Sequence, residues 1–472
     1  MQIASMHFKR KATLQLENDH LQQNLRRFGR GFVDKRALAV ADVDNFENMR
    51  TAGAAIRDRS LANLDAWLLE FERNATQRGT KVHWAETAED VNRIVIEIAR
   101  ANGVRKVVKS KSMVSEESAL NQALEGEGIR AVETDLGEYI VQLAKEPPSH
   151  LIAPAIHKSK EDVAELFAEH HHTKLQTDID IRALCREARE QLRPHFLDAD
   201  MGISGSNFLI AESGSVGLVT NEGNGRMVTT LRRIHVAITG VEKVIATTED
   251  FAALMRLLSR SATGQAISNY VTVVTGPRAD DETDGPEQFH VIVVDSGRTR
   301  LLGTELQPAL RCIRCGACMN HCPVYQNIGG HAYGWVYPGP IGSVLTPSYI
   351  GLENALDLPN ASTLCGECAV VCPVRIPLPD LMRVLREKAL AQGLRPRAER
   401  LSMLAWKFAV KNPRLYAWFA RAGAAMLARM GGAERLLHKL PGLDGWTHGR
   451  DMPAPAGKTF RDLYAADGKR KA

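Results

Sequence analysis

The 472-residue chain has no apolar run of the roughly 18 or more residues that a membrane-spanning helix needs. Leu415–Met430 comes nearest, and Arg421 and Arg429 interrupt it. The first residues carry Lys9, Arg10 and Lys11 with no apolar stretch behind them, so no signal peptide is expected and a cytoplasmic protein is. Aromatic residues make up only 6% of the chain, without the basic–aromatic interleaving of a nucleic-acid platform, so no nucleic-acid partner is expected. Nothing reads G-x-G-x-x-G, and no P-loop is present, which removes the two commonest nucleotide fingerprints. Outside one stretch the chain has a single cysteine, Cys185.

What is there is unevenly spread. Residues 381–472 hold 19 Lys/Arg against 7 Asp/Glu, whereas the rest holds 41 against 48. A basic tail on an acidic body suits an anionic partner, peripheral contact with a membrane surface, or simply solvated helix faces. Residues 1–60 read as a polar helical lead-in with basic clusters at Arg26–Arg30 and Lys35–Arg36. From about Ser60, helical spacing (Leu61–Arg78, Thr87–Asn102, Ser115–Leu124, Leu136–Leu143) alternates with short apolar runs (Val104–Val108, Ile129–Glu133, Leu151–Ile156) that read as strands. That alternation predicts a parallel α/β sheet. A long helical stretch, Glu161–Phe196, precedes a glycine-punctuated β-like region with strands at Asn207–Ala211, Val216–Val219, Ile234–Ile238, Tyr270–Thr275 and His290–Asp295. Beyond Leu381 the chain is helical and Arg-rich to about Met430, then loosens towards Gly468–Ala472, where a disordered tip is expected.

The other seven cysteines lie between Cys312 and Cys372. Cys312, Cys315, Cys318 and Cys322, followed by Pro323, have the C-x2-C-x2-C-x3-C-P spacing of bacterial ferredoxins. Three thiolates spaced three residues apart let one tight loop wrap an iron–sulfur cube, and the fourth points to a second cluster. Cys365, Cys368 and Cys372, followed by Pro373, repeat the last three positions; the first falls on Ser362. Interlocked pairing predicts two 4Fe–4S clusters. One is ligated by Cys312, Cys315, Cys318 and Cys372. The other is ligated by Cys322, Cys365 and Cys368, its fourth position open to Ser362, water or a partner's side chain, or left empty in a 3Fe–4S form. Structural zinc prefers closed sets of four ligands and fits seven cysteines poorly.

The remaining candidates have plainer readings beside the chemical ones. Cys185 shares a helical stripe with Ile181, Leu184, Ala188 and Leu192, which predicts a buried core cysteine rather than a ligand. His170, His171 and His172 point in different directions on a helix and read as a solvated helix end. His321 is expected to be simply exposed. His331, Tyr333, Trp335 and Tyr337 are expected to shield clusters from water. Met201–Arg226 mixes glycine with Ser, Thr and Asn, as anion-binding backbone nests do. Glu212 and Glu222 within it read as turn residues, with a catalytic carboxylate as the alternative.

With these residues in view, the chain resembles the lactate utilisation protein B family of iron–sulfur proteins. The resemblance rests on Lys109–Met113, Glu133–Tyr139 and Pro148–Pro154, on Gly205–Phe208, Ala211–Ser215 and Val219–Gly225, and on the cysteine pair with its serine, plus Phe460–Tyr464. It implies a lactate-utilisation α/β domain (61–300) of NagB/RpiA/CoA-transferase type after a lead-in (1–60). A helical, ferredoxin-like two-cluster domain (301–385) and a basic helical C-terminal region (386–472) follow. It also implies an electron-transfer role in oxidising L-lactate to pyruvate, shared with a cysteine-rich-repeat protein and a lone lactate-utilisation-domain protein. The competing readings are an iron–sulfur subunit of another 2-hydroxy-acid or glycerol-phosphate dehydrogenase, an acyl-transfer enzyme using Glu212, and a cluster-based redox sensor.

Overall fold

A computed structural model describes residues 3–175, 178–268, 270–440, 447 and 450–471. The chain divides into two compact units, Met1–Ala389 and Leu390–Ala472. The strands of the first unit are β1 (Lys81–Ala85), β2 (Lys106–Lys109), β3 (Arg130–Glu133), β4 (Met201–Gly205), β5 (Phe208–Ile210), β6 (Ser215–Thr220), β7 (Ile234–Gly240), β8 (Val244–Ile245), β9 (Tyr270–Val274) and β10 (Gln288–Val294). Six of them form one sheet in the order β1-β10-β7-β4-β2-β3, every pair parallel. A second sheet has the order β8-β5-β6-β9.

Parallel strands covered by helices on both faces are near-continuously apolar, and all seven residues of β7 are buried, His235 and Thr239 among them. One face packs on helix Ala88–Ala101, where Val91, Ile94, Val95 and Ile98 repeat at helical spacing behind a Thr87–Asp90 capping box. The opposite face packs on helix Leu64–Gln77 through Leu68, Phe71 and Ala75. The chain runs from β2 outward to β3, then crosses back to β4 on the other side of β2. That reversal is where open α/β sheets leave a crevice at the carboxyl ends of their strands.

Several segments depart from the sequence expectation. Leu151–Ile156 is not a strand, because Pro154 lacks an N–H and the Ile152 and Ala153 N–H groups donate to His150 Nδ1. Glu161–Phe196 is two helices, Lys160–His171 and Ile181–Asp198, each started by its own side-chain cap. On the second, Leu184, Ala188, Leu192 and Phe196 are buried while Ile181 and Cys185 are exposed. Cys185 sits one residue round from the buried stripe and is not a core cysteine. The start of the glycine-rich region is strand β4, not a nest: a Cβ on Gly202 would lie 2.1 Å from Val228 O, so glycine lets helix Asn224–Thr230 close onto the sheet.

In the second unit, helices Arg397–Lys411 and Pro413–Met430 bury no residue and expose Trp406, Phe408, Trp418 and Phe419. Of the tip from Gly468 onward, expected to be disordered, residues 468–471 end helix Phe460–Lys471, which Arg421 anchors at 2.7 Å from Asp462, and Ala472 lies outside the described residues. The Pro/Gly-containing stretch 441–446 lies outside the described residues. No described helix is long and apolar enough to cross a membrane.

Candidate metal centre

The two cysteine motifs fold into the same turn twice. Arg314 (φ 60°) and Gly316 (φ 74°) flank Cys315, and Leu364 (φ 56°) and Gly366 (φ 89°) flank Cys365. Left-handed Arg and Leu each cost on the order of 1–3 kcal/mol and persist only where their surroundings dictate them. A one-turn helix follows each, Ala317–Asn320 and Glu367–Val370. In the first turn Arg314 N donates to Cys312 Sγ at 3.4 Å. In the second, Leu364 N donates to Ser362 Oγ at 3.0 Å. Ser362 therefore occupies the structural place of Cys312, with oxygen where the first motif has sulfur.

Cys312, Cys315, Cys318 and Cys372 line one small cavity walled by Leu151, Ile341 and other apolar groups. Cys322, Cys365 and Cys368 make a second group, close enough that Cys365 and Cys322 each raise the Cys368 pKa. Cys365 alone of these seven is exposed. Burial, reinforced by neighbouring thiols, pushes Cys315 up to about 12; burial pushes Cys372 up to about 11. Gathered thiols of this kind ionise together only against cationic charge, as iron supplies. Ile376 N points at Cys372 Sγ at 3.3 Å, the kind of N–H donor that tunes a cluster. Donor chemistry and surroundings both fit iron–sulfur ligation.

Cations converge on the same turns. Arg50 Nε donates to Cys372 O at 2.9 Å, Arg36 to Val371 O at 2.9 Å, and Lys243 Nζ to Cys312 O at 2.5 Å. The N-terminal helices thus clamp the cysteine segment. Fully buried Arg57 donates to Val244 O, Leu310 O and Glu242 O. Glu242, 2% exposed, pairs with Arg298 Nε at 2.9 Å, Arg314 at 3.5 Å and Lys243 at 3.8 Å. Burial would raise the Glu242 carboxyl, but these cations hold it down at about 2. Arg314 also lies over the Tyr337 ring at 4.3 Å, and the Tyr337 hydroxyl donates to Glu117. Sequence reasoning missed this network, since no spacing links Arg57, Glu242 and Arg298.

A cavity of about 530 Å³ opens at the carboxyl ends of β2, β3 and β4, lined by Ser110, Lys111, Asn207, Glu222, Lys243 and Arg314 among others. It lies at the sheet's reversal point and borders the Cys312–Cys315 turn. Burial and Asp135 push the Glu222 carboxyl up to about 7. Glu212 is no part of this lining: it accepts from Thr248 N at 2.6 Å and tethers a helix start.

The histidines divide. His170 and His172 are exposed, but the His171 side chain is 3% exposed, bonded to Tyr139 Oη at 2.8 Å and Glu187 at 2.9 Å, so the helix end is not wholly solvated. His321 is half-buried, not exposed, and its Nδ1 lies 3.0 Å from Ala317 O. Tyr333, Trp335 and Tyr337 are buried, whereas His331 faces Glu146 and His157.

Comparison with known proteins accords with this arrangement. Residues 68–294 match the LUD domain family, 308–376 the 4Fe-4S dicluster domain family and 383–469 the family described as lactate utilisation protein B, C-terminal. A protein from Shouchella clausii named lactate utilization protein B is 43% identical, over 100% of this chain and 99% of its own. The Bacillus subtilis protein of that name is 41% identical, over 98% and 97%; that of an Exiguobacterium species is 45% identical, over 92% of each. A solved DUF162 family protein from Deinococcus radiodurans, 14% identical over 49% of this chain and 98% of that one, aligns with a TM-score of only 0.28, too loose to bear on the fold. Identity at this level along essentially the whole length makes the chain a member of the lactate utilisation protein B family.

Proposed function

We propose that this chain is the cytoplasmic iron–sulfur electron-transfer subunit of an assembly that oxidises L-lactate to pyruvate. It would carry two 4Fe–4S clusters, one on Cys312, Cys315, Cys318 and Cys372 and one on Cys322, Cys365 and Cys368. The observation that carries the reading is the doubled turn, whose seven sulfurs fall into a set of four and a set of three. Oxidising lactate releases two electrons and two protons, and a cluster takes one electron at a time, so a pair of clusters can divide them. Within the chain, the Glu242 network holds the Cys312 turn against the α/β body, and the cavity beside that turn is where a reductant would approach. Companions would be a cysteine-rich-repeat protein and a lone lactate-utilisation-domain protein. The exposed aromatic and basic helices of 397–430 are the candidate docking surface. We take the domains to run 61–300, 301–385 and 386–472 after the 1–60 lead-in, the first of NagB/RpiA/CoA-transferase type.

Lactate-driven dye reduction by the three reconstituted proteins tests the role. Omitting this chain should abolish it, and Trp406→Ser with Trp418→Ser should weaken assembly while leaving iron content unchanged. Undiminished reduction without the chain would end the proposal. We further place Ser362 at the fourth position of the second set. Ser362→Cys would supply a fourth thiolate and should make one reduction potential more negative, on the order of tens of millivolts. Redox titration monitored by EPR reads this; an unmoved potential places the fourth ligand elsewhere.

A further inference from the structure

Away from the cysteines, Glu146, His157 and His331 converge, one ligand atom of each within 4.8 Å of the others. Their hydrogen bonds fix where the lone pairs point. His331 Nε2 lies 2.7 Å from Pro147 O. A carbonyl only accepts, so Nε2 carries the hydrogen and Nδ1 the lone pair. Ser149 Oγ donates to Pro154 O at 2.9 Å, so it accepts from His157 Nδ1 at 2.8 Å. The bare Nε2 of His157 then faces Glu146 Oε2 at 2.6 Å. Two acceptors that close need a cation between or beside them. The other charged groups facing the cluster are Lys158, 2.6 Å from Glu146 Oε1, and the more remote Lys11. Lys158 leaves Oε2 unclaimed.

We propose that Glu146, His157 and His331 bind one divalent transition-metal ion through Oε2, Nε2 and Nδ1. Each imidazole has its other nitrogen anchored on a protein acceptor, the arrangement that orients metal-ligating histidines. Two imidazoles and one carboxylate suit Zn²⁺ or Fe²⁺, and three protein ligands leave a position open. A cavity of about 250 Å³, lined also by Gln15, Asn18 and His20, adjoins the three and has room for water or a small ligand there. This site goes beyond the redox role, and neither depends on the other.

Zn²⁺ is the probe. The anaerobically purified holoprotein is equilibrated with ZnCl₂, desalted, and its zinc and iron counted, beside His157→Gln, His331→Gln and Glu146→Gln. The wild type should keep about one zinc per chain over its full iron. Loss of a ligand should weaken zinc binding at least about tenfold, with iron retained as the sign of an intact fold. Zn²⁺ should also raise the Tm of the wild type and not of the variants. A wild type without zinc has the proton on His157 instead, and the proposal fails. It fails equally if all three variants bind zinc as the wild type does.

Discussion

Glu242→Gln is expected to destabilise the first unit by about 3–5 kcal/mol, the usual result of removing one member of a buried ion pair. The carboxylate is 2% exposed and answers Arg298, which is wholly buried. Without it Arg298 keeps only Glu117, at 2.6 Å, as an ion-pair partner among the described residues. Glutamine preserves the shape, so the loss would be one of charge rather than of packing. The urea midpoint of the holoprotein measures it, read as a midpoint because the chain has more than one unit. Iron should be released at lower urea than in the wild type, since Arg314 and Lys243 tie the Cys312 turn to the same carboxylate. The pH dependence has a definite sign. The folded pKa of Glu242, about 2, lies below its ordinary 4.5, so its pairing contributes fully above about pH 4.5 and is lost as pH falls towards 2. The glutamine variant should lack that acid limb. An unchanged midpoint would show that the network holds nothing together.

The second large effect is expected at Cys318. It lines the cavity of the set of four, and burial, followed by Cys315, Cys312, Cys372 and Cys368, pushes its thiol pKa up. Cys318→Ala should cut bound iron to about half and slow lactate-driven dye reduction by at least about tenfold, because one of the two clusters loses a ligand. Cys185→Ser is the matched control: Cys185 is exposed on helix Ile181–Asp198, and its loss should leave iron untouched. Full iron in Cys318→Ala would contradict the ligand assignment.

The cysteine motifs were legible because ligation constrains residues only a few positions apart, so the constraint is written as spacing. The parallel sheet was legible for a similar reason: each strand–helix step is local, and β2, β3, β7 and β10 are short apolar runs beside amphipathic helices. Elements that depend on distant partners were not. Edge strand β1 carries His83 and Trp84 in place of an apolar run and is defined by its pairing with β10. Strand β4 hid behind Gly202, whose reason, Val228 O, lies 26 positions away on another element. Cys185 was misplaced because one residue is about 100° on a helix, enough to turn a core position outward. The buried charges were least legible of all. No spacing marks Arg57, Glu242 and Arg298, which folding joins across 241 positions of chain. The equivalence of Ser362 and Cys312 stands between these cases: spacing pointed to it, and the shared N–H donor gives it a physical basis.

The most direct test of the central claim is to count iron and acid-labile sulfide in the anaerobically purified protein, with EPR of the reduced form. Two 4Fe–4S clusters predict about eight iron and eight sulfide per chain and the spectrum of reduced cubes. A colourless protein, with zinc or no metal on the seven cysteines, would contradict the account.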